Sequence, residues 1–410
     1  MANTESYDLV IVGAGIIGLA TAREWIRRYP DSRVCVLEKE PAVARHASGR
    51  NSGVLHAGFY YSADSLKARF TLEGNRLMAA YCEEHGLPIN RCGKVVVATN
   101  AEEVGGLHEL KRRAERNGVP LQWVDERELI DIDPNAKTVH RALYSPLTAT
   151  VDPERVCETM RREIADRGVT IKFATPFRQA SGNMLKAGNE TIRFGYLINA
   201  AGLYADKIAH GMGFGHEYEI IPFKGLYLKY EKNKTDVRTN IYPVPNLNNP
   251  FLGVHFTKTV DGSIKIGPTA TPAFWRENYR GMAGFRAGEF LKIAGSQSRL
   301  LAANAFGYRR LALEEMKKYV RSHFIALAAR LVKRLDPDGF GGYMRPGIRA
   351  QLLDRRTRGL VQDFVVEGDH RSLHVLNAVS PAFTCSIPFA RHLVSIAEQK
   401  QGGATKHEAG

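Results

Sequence analysis

Residues 7–39 constrain the fold more strongly than any other part of this chain of 410 residues. The segment begins with a short apolar run, 9–12, whose length and flanking glycine are typical of a strand buried on both faces of a parallel sheet. Three glycines then follow in the spacing G-x-G-x-x-G, ahead of helix-forming residues: Gly13, Gly15 and Gly18. A second apolar run, 34–37, ends on Glu38. The segment therefore predicts a βαβ unit.

Each glycine of this turn has a mechanical reason to be glycine. Gly13 makes the tight turn, Gly15 lets the backbone approach a pyrophosphate, and Gly18 lets the helix pack closely on the strand. The helix N-terminus offers free N–H groups to phosphates, and Glu38 can accept hydrogen bonds from the adenosine ribose. We therefore predict a dinucleotide site rather than an ordinary glycine-rich turn. Two neighbours complete the predicted contacts of this segment: Ile16 and Lys39.

The composition is that of a globular protein, with 44% hydrophobic and 24% charged residues. The polar residues 1–6 lead straight into the first strand without a leader pattern, so we expect a cytoplasmic protein. The five cysteines are scattered and lack a C-x-x-C pair, which argues against a metal site. The formal net charge of +14 favours anionic partners, but no nucleic-acid-binding motif is present, so we expect none of that class.

Further patterns predict two interleaved domains. A second α/β unit follows residue 150, whereas residues 220–267 read as short strands separated by turns, which is typical of an antiparallel sheet. The predicted fold class is α/β, with a Rossmann-like nucleotide-binding domain interleaved with an α+β substrate domain. The predicted boundaries are 1–90, 145–215 and 340–400 for the first domain, 91–144 and 216–339 for the second, and 401–410 for a flexible tail.

Several long motifs identify a resemblance. They are Asn-Ser-Gly-Val-Leu-His-Ala-Gly at 51–58, Ile-Tyr-Pro-Val-Pro at 241–245, Pro-Phe-Leu-Gly-Val-His-Phe-Thr at 250–257, Gly-Ile-Arg-Ala-Gln at 347–351 and Ser-Pro-Ala at 380–382. With these motifs the chain resembles the L-2-hydroxyglutarate dehydrogenases (oxidases), flavoproteins related to D-amino-acid oxidase, glycine oxidase and glycerol-3-phosphate dehydrogenase. The resemblance implies FAD as cofactor and the oxidation of L-2-hydroxyglutarate to 2-oxoglutarate.

The resemblance also implies which residues contact FAD. In related flavoenzymes the glycine-rich loop after the second strand runs beside the isoalloxazine, here through Ser48, Asn51, Ser52, Gly53 and Val54. The small residues after a later apolar strand belong to the same nucleotide fold: Ala201 and Gly202. The N-terminus of the last helix would point at the flavin pyrimidine and stabilise negative charge on reduced flavin. That helix start comprises Pro381, Ala382 and Phe383.

Oxidation of a 2-hydroxy acid needs a base for the hydroxyl proton, a hydride acceptor and cations for the carboxylate. His56 matches a histidine in the similar loop of glycerol-3-phosphate oxidising enzymes and is the first candidate base. His255 is the second. Arg349 resembles the arginine that grips the substrate carboxylate in amino-acid oxidases, because a guanidinium makes two parallel bonds to a carboxylate. Other predicted substrate contacts are Lys224, Tyr242 and Ser380.

Three alternatives stay open. One is a nicotinamide-dependent dehydrogenase, which would use the same glycine turn. Another is a flavin-dependent oxidase or dehydrogenase of a different L-2-hydroxy acid or of an amino acid, because Lys224 and Thr269 stand where the family commonly has arginine and asparagine. The third is a binding module with a redox-inert dinucleotide, which would need no histidine and arginine beside the nucleotide fold.

A basic segment, 276–334, carries a net charge of +9. It reads as helical, with an apolar stripe: Met316, Val320, Phe324, Leu327 and Leu331. A basic amphipathic helix can lie on an anionic membrane. The family resemblance, which implies a link to membrane quinone, adds the expectation of peripheral binding to the cytoplasmic face of the inner membrane. The alternative is that the stripe packs on the sheet and the charges are solvated.

Overall fold

The computed structural model describes residues 4–246 and 251–405. Pro250 of the motif at 250–257 and residues 406–410 of the predicted tail therefore lie outside the described residues. The last helix continues to Thr405, so the first half of the predicted tail, 401–405, is helical instead. None of the helices within the described ranges is both long and apolar enough to cross a membrane.

The strands and helices are numbered separately, each in chain order. The strands are β1 (Glu5–Val12), β2 (Val34–Leu37), β3 (Val54–Leu55), β4 (Ile89–Asn90), β5 (Lys94–Val97), β6 (Gln122–Asp125), β7 (Arg141–Ser145), β8 (Ala149–Val151), β9 (Thr170–Lys172), β10 (Phe177–Ser181), β11 (Met184–Ala187), β12 (Glu190–Asn199), β13 (Tyr218–Gly225), β14 (Leu228–Tyr230), β15 (Asn240–Pro243), β16 (His255–Lys258), β17 (Ile264–Gly267), β18 (Thr271–Pro272), β19 (Phe340–Tyr343), β20 (Gly347–Asp354), β21 (Val365–Gly368) and β22 (Ser372–Asn377). The helices are α1 (Ile16–Arg28), α2 (Leu66–Glu84), α3 (Val104–Arg116), α4 (Glu126–Ile132), α5 (Pro153–Asp166), α6 (Ala205–Gly211), α7 (Ala287–Ala303), α8 (Tyr308–Lys317), α9 (Arg321–Ala329) and α10 (Ala382–Thr405).

The chain folds into two compact units. The first comprises Met1–Asn51, Pro153–Ile220 and Ala350–Gly410, and the second comprises Ser52–Asp152 and Ile221–Arg349. These bounds differ from the predicted ones, because residues 52–90, 145–152 and 340–349 belong to the second unit and residues 216–220 belong to the first. The pairing of strands is the physical reason: β3 and β4 both bond to β8, and β19 bonds to β14.

The first unit is built on a largely parallel sheet in the order β10-β11-β12-β1-β2-β9, with β22 beside the C-terminal half of β12. The parallel register aligns Val12 with Leu37 on one side and with Asn199 on the other. The carboxyl ends of β1, β2 and β12 therefore meet at one edge of the sheet. α1 packs against β1, β2, α5 and α10, which covers one sheet face as in Rossmann-like folds.

The main sheet of the second unit also has eight strands, in the order β19-β14-β17-β16-β15-β5-β7-β6, and is antiparallel except where β15 pairs with β5. Its strands alternate between two cores. Val95 and Ile241 face the core that includes Phe324 of α9, whereas Val96 and Tyr242 face the core beside α3. The mixed α/β architecture with an antiparallel second sheet confirms the predicted fold class.

The basic segment is helical as predicted, but it forms three separate helices, α7, α8 and α9. α8 ends at Lys317 and α9 begins at Arg321, and Val320 between them has extended backbone angles. Phe324 and Leu331 are buried in the sheet core, but Met316 and Val320 are exposed. The apolar spacing 316–331 was thus not one stripe: its second half packs on the sheet and its first half faces solvent.

Candidate functional site

The glycine turn of the first unit has the shape that a dinucleotide requires. A Cβ atom on Gly13 would lie 2.6 Å from the carbonyl oxygen of Ala200, and Gly13 has a positive φ of 105°. A Cβ atom on Gly18 would lie 1.9 Å from the carbonyl oxygen of Gly13. Gly15, by contrast, has ordinary backbone angles and would contact only the hydroxyl of Ser48. Two glycines therefore let the turn close, and the third leaves its backbone open to a ligand.

Side chains from two loops hold this turn. The Ala14 N–H donates to Glu38 Oε2 at 2.9 Å, and the Glu40 N–H donates to Glu38 Oε1 at 2.9 Å. The Ile16 N–H, the first of α1, donates to Ser48 Oγ at 2.9 Å. Each carboxylate oxygen of Glu38 keeps further lone pairs, so Glu38 can hold the turn and still accept a bond from a ribose hydroxyl.

The other predicted cofactor residues of the first unit lie on loops that follow strands. The Asn51 side chain donates to the carbonyls of Ala47 and Ser48, which fixes the loop after β2. Ala201 and Gly202 follow β12, and the Ala201 N–H donates to Asn199 Oδ1. Lys39 Nζ lies 2.8 Å from His46 Nε2. Ala382 and Phe383 are the first residues of α10, Pro381 directly precedes the helix, and Ser380 is exposed.

The remaining residues of the predicted flavin loop belong to the second unit, because the division between the units falls after Asn51. The Val54 N–H lies 3.3 Å from Ser52 Oγ, and Val54 pairs with Thr150 of β8. Gly53 has a positive φ of 76°, and its carbonyl accepts a bond from Val151. These bonds fix the chain just ahead of His56.

A buried group of four side chains lies in the second unit, and we call it the histidine cluster: His56, Lys94, Tyr242 and His255. The rings of Tyr242 and His255 stack with centroids 3.7 Å apart and planes inclined by 17°. Lys94 Nζ lies 4.2 Å from the centroid of the Tyr242 ring. His255 Nδ1 lies 3.0 Å from the Gly253 carbonyl oxygen. Since a carbonyl can only accept, Nδ1 carries the proton and Nε2 is left as proton acceptor.

Burial keeps both imidazoles of the histidine cluster neutral. It lowers the pKa of His56 well below its usual range, and the positive charge of Lys94 and the nearby His255 lower it further. Burial, followed by the charge of Lys94, lowers the pKa of His255 to about 3. Burial alone lowers the pKa of Lys94 to about 7. Neutral imidazoles are the form that can accept a proton.

Other cations of the second unit lie on neighbouring strands. Arg349 is the third residue of β20, with its Cζ atom 5.3 Å from the centroid of the Phe251 ring, and burial lowers its pKa to about 10, which leaves it charged at neutral pH. Lys224 of β13 is buried, and burial lowers its pKa. Thr269 donates to the Lys224 carbonyl at 2.8 Å, so two residues that depart from the family pattern are bonded to each other. Burial lowers the pKa of Lys265 to about 8.

The structure thus brings His56, Tyr242 and His255 together, and it adds Lys94, which the sequence analysis missed. Lys94 directly precedes the apolar run 95–97, where a lysine at a strand start is commonly solvated. The alternation of β5 gives the available signal, because Lys94 lies on the same face as Val96 and faces the aromatic residues 59–60 and 242.

Comparisons with known proteins agree with this geometry. The profile of the family described as "DAO: FAD dependent oxidoreductase" matches residues 8–396. The chain is 38% identical to the mitochondrial L-2-hydroxyglutarate dehydrogenase of Nematostella vectensis, covering 97% of this chain and 91% of that protein. It is 35% identical to the L-2-hydroxyglutarate dehydrogenase of Escherichia coli (strain K12), covering 98% and 97%.

A solved structure is similar in fold. The dithionite-reduced L-alpha-glycerophosphate oxidase from Mycoplasma pneumoniae with FAD bound superposes with a TM-score of 0.74 over 96% of this chain and 95% of that chain. The two sequences are 22% identical, so this likeness concerns the fold alone.

Proposed function

The chain belongs to the family of FAD dependent oxidoreductases, and from that membership we propose that it oxidises L-2-hydroxyglutarate to 2-oxoglutarate. The family and its FAD cofactor are established by the match over residues 8–396. The resemblance to L-2-hydroxyglutarate dehydrogenases that the sequence motifs indicate is confirmed by the curated relatives of 35–38% identity. The identity of the hydroxy acid is inferred from the names of those relatives.

The observation that carries the choice of substrate is the set of buried lysines in the second unit. Lys94, Lys224 and Lys265 are each less than a tenth exposed, and none of them forms an ion pair with another described residue. Buried charges without counter-ions are costly unless a ligand supplies the opposite charge. A substrate with two carboxylates supplies that charge, whereas a neutral alcohol does not.

We assign the cofactor to the first unit and the substrate to the second. Gly13, Gly15 and Gly18, with Glu38 and the start of α10, are the residues that would hold FAD. Bound FAD supplies a two-electron acceptor for hydride from the hydroxyl-bearing carbon. The closed turn fits this role, since the backbone at Gly15 is open to a ligand and lies directly before α1, whose N-terminus carries the positive end of the helix dipole.

In this proposal His56 takes the hydroxyl proton of the substrate. Its backbone is fixed by the Asn75 side chain, which donates to the carbonyls of Leu55 and His56. His255, whose Nε2 is left as acceptor, is the second candidate for the base. Both imidazoles are neutral at physiological pH, so either can accept a proton without first losing one.

Arg349 would bind the carboxylate beside the reacting carbon, because its planar guanidinium can form two parallel hydrogen bonds. Lys224 and Tyr242 would contact the rest of the substrate, with Lys224 directed to the distal carboxylate. The Tyr242 ring also fixes the His255 ring by stacking on it.

Anaerobic bleaching of the flavin across a panel of substrates tests the proposal. We expect L-2-hydroxyglutarate to bleach the flavin faster than L-lactate, D-2-hydroxyglutarate or L-glutamate at equal concentration. Faster bleaching by an amino acid would favour the amino-acid oxidase alternative. A protein that carries no visible flavin and reduces a nicotinamide would contradict the proposal as a whole.

The Arg349→Lys enzyme tests the carboxylate contact. Lysine keeps the charge but loses the two-pronged geometry, so we expect the apparent Kd for substrate to rise about tenfold to a hundredfold, as for a lost charge-assisted hydrogen bond. Flavin occupancy should not change. Titration of flavin reduction against substrate concentration measures the Kd, and an unchanged value would remove Arg349 from the substrate site. Lys229→Arg, an exposed exchange on β14, is the matched control.

We further propose that reduced flavin passes its electrons to a membrane quinone and that the second unit binds an anionic membrane surface. Eleven of the fourteen exposed large hydrophobic side chains of the described residues lie between Phe274 and Val320, so exposed apolar area is concentrated on one segment. Leu291 is 70% exposed and Leu313 is 64% exposed. Most basic residues of 276–334 are exposed too, but Arg276 and Lys318 are buried, and Lys318 is paired with Glu315.

Flotation with anionic liposomes tests the membrane proposal. We expect the protein to float at low salt and to dissociate as salt screens the charges. Replacing Lys292, Arg299, Arg310 and Lys317 by glutamate should abolish flotation. The matched control replaces Arg162, Arg167, Lys186 and Arg193 of the first unit, which are also exposed, and should still float. Equal loss in both variants would indicate a general charge effect, and no binding at low salt would contradict the proposal.

A further inference from the structure

Lys94 is the most unusual ionisable residue of the second unit. It is fully buried, and its Nζ atom has no hydrogen-bond partner among the described residues. Its surroundings are aromatic: Nζ lies 4.2 Å from the ring centroid of Tyr242, 5.1 Å from that of Tyr60 and 5.4 Å from that of Phe59. Ring faces attract a cation, but they do not replace a counter-ion or the hydration of an ammonium group.

The charged neighbours of Lys94 do not compensate for this burial. In the parts of the chain that the structure describes, no carboxylate shifts the pKa of Lys94 or His56. The ring of His255 stacks on that of Tyr242, and the charges of three lysines add to burial in lowering the pKa of His255. The titratable groups that face the histidine cluster from the surrounding elements are Cys92, Tyr60, Tyr61, Tyr227, Lys265 and Lys318. The free site is therefore poor in negative charge.

We propose that Lys94 is largely uncharged in the free enzyme above neutral pH and takes up a proton from solvent when an anionic substrate binds beside the histidine cluster. The Nζ lone pair accepts the proton, and no other bond changes. This inference rests on the proposed function, since it takes a dicarboxylate as the ligand. Lys94 is a positioning residue here: it acts through Tyr242 and His255 and is not assigned a contact with substrate.

The physical basis is linkage between charge and binding. A buried amine without a counter-ion loses its proton at lower pH than a solvated one, and a nearby anion reverses that shift. Because the pKa of about 7 is lower than the ordinary 10.5, the unfolded chain binds more protons than the folded chain between these values. Protein stability should therefore rise with pH across this range, and binding of an anion should be accompanied by proton uptake.

The consequence for the reaction is that positive charge is supplied when substrate is bound. An ammonium that forms only in the loaded site adds to the attraction for the dianion. The negative charges of the two carboxylates in turn offset the positive charges of the lysines, which lower the pKa of His56 and His255 and so weaken both as bases. A monocarboxylate should raise the pKa of Lys94 less, so it should bind with less proton uptake.

Calorimetry on the flavin-loaded protein tests the proposal. Glutarate, which lacks the reacting hydroxyl, is titrated at about pH 7.5 in buffers of low and high ionisation enthalpy, because the difference in heat reports protons taken up. We expect an uptake of about half a proton or more per site. Lys94→Arg should retain binding but lose this uptake, since arginine stays charged. Lys94→Met should lose the uptake and bind more weakly.

The controls separate Lys94 from other groups. Lys265→Arg measures how much of the proton uptake comes from Lys265, whose pKa of about 8 also lies near this pH. The exposed Lys229→Met should keep the full uptake. If Lys94→Arg or Lys94→Met binds glutarate with undiminished uptake, the proposal is wrong. Either variant alone is decisive if the other does not fold. Failure of glutarate and 2-oxoglutarate to bind at all would instead contradict the proposed dicarboxylate substrate, and this inference with it.

Discussion

The Gly15→Val protein is expected to purify folded and colourless. Gly15 has φ −76° and ψ 173°, which valine adopts without strain. A Cβ atom there would lie 3.1 Å from Ser48 Oγ, a side-chain atom that can move. The fold should therefore survive at a cost of about 1 kcal/mol if the bond between Ile16 and Ser48 is lost. The new side chain would occupy the space where a pyrophosphate meets the backbone, so we expect essentially all flavin to be lost.

Absorbance at flavin wavelengths, together with circular dichroism, measures both parts of this result. Gly18→Val is the informative contrast, because its Cβ atom would lie 1.9 Å from the carbonyl oxygen of Gly13, and we expect it to fold poorly. Gly105→Val, on α3 with open space around it, is the control for the exchange itself and should stay yellow. Full flavin occupancy in folded Gly15→Val would mean that the cofactor does not use this turn.

The second large effect is expected at the histidine cluster. His56→Ala should slow anaerobic flavin reduction by roughly a hundredfold to ten-thousandfold, the usual contribution of a general base. The loss should shrink as pH rises, because more of the substrate hydroxyl is then ionised without help. The rate of flavin bleaching after rapid mixing with substrate measures this. His108→Ala, an exposed histidine on α3, should react as the unchanged enzyme does.

His255→Ala decides between the two imidazoles. We expect a smaller loss than for His56→Ala, because His255 is the partner that Tyr242 stacks on rather than the first candidate base. An unchanged rate in His56→Ala together with a large loss in His255→Ala would assign the base to His255. Its Nε2 lone pair, left by the bond from Nδ1 to Gly253, would then take the proton.

The nucleotide-binding unit could be predicted because its signals are local. The strand β1, the glycine turn and α1 follow one another in sequence, and Gly13 and Gly18 have steric reasons that the pattern already contains. The motifs that carry the family resemblance also predicted the loop that contains His56. The boundaries of the two units were predicted less accurately, because they depend on which distant strand β3 and β4 pair with.

The sequence could not indicate the burial of Lys94, because that depends on tertiary structure. β5 pairs with β15, whose first residue, Asn240, is aligned with Lys94, and this parallel pairing brings Tyr242 close to the amine. The apolar spacing from Met316 to Leu331 wrongly predicted one continuous stripe, because the spacing fits one long helix. In the structure α8 ends at Lys317, beside the buried pair of Glu315 and Lys318, and the Ala270 N–H donates to Glu315 at 2.5 Å.

The assembly of the first unit from three separate segments has a consequence for synthesis on the ribosome. The turn at Gly13 emerges early, but Ala200, against which it closes, is made almost two hundred residues later. α1 gains its cover even later, because Arg28 forms an ion pair with Glu398 of α10 at 2.8 Å. A nascent chain therefore cannot complete the first unit until residues 382–405 have been made and have left the ribosome. We expect flavin to enter only after that point, so that synthesis can outpace cofactor supply and leave a pool of colourless protein.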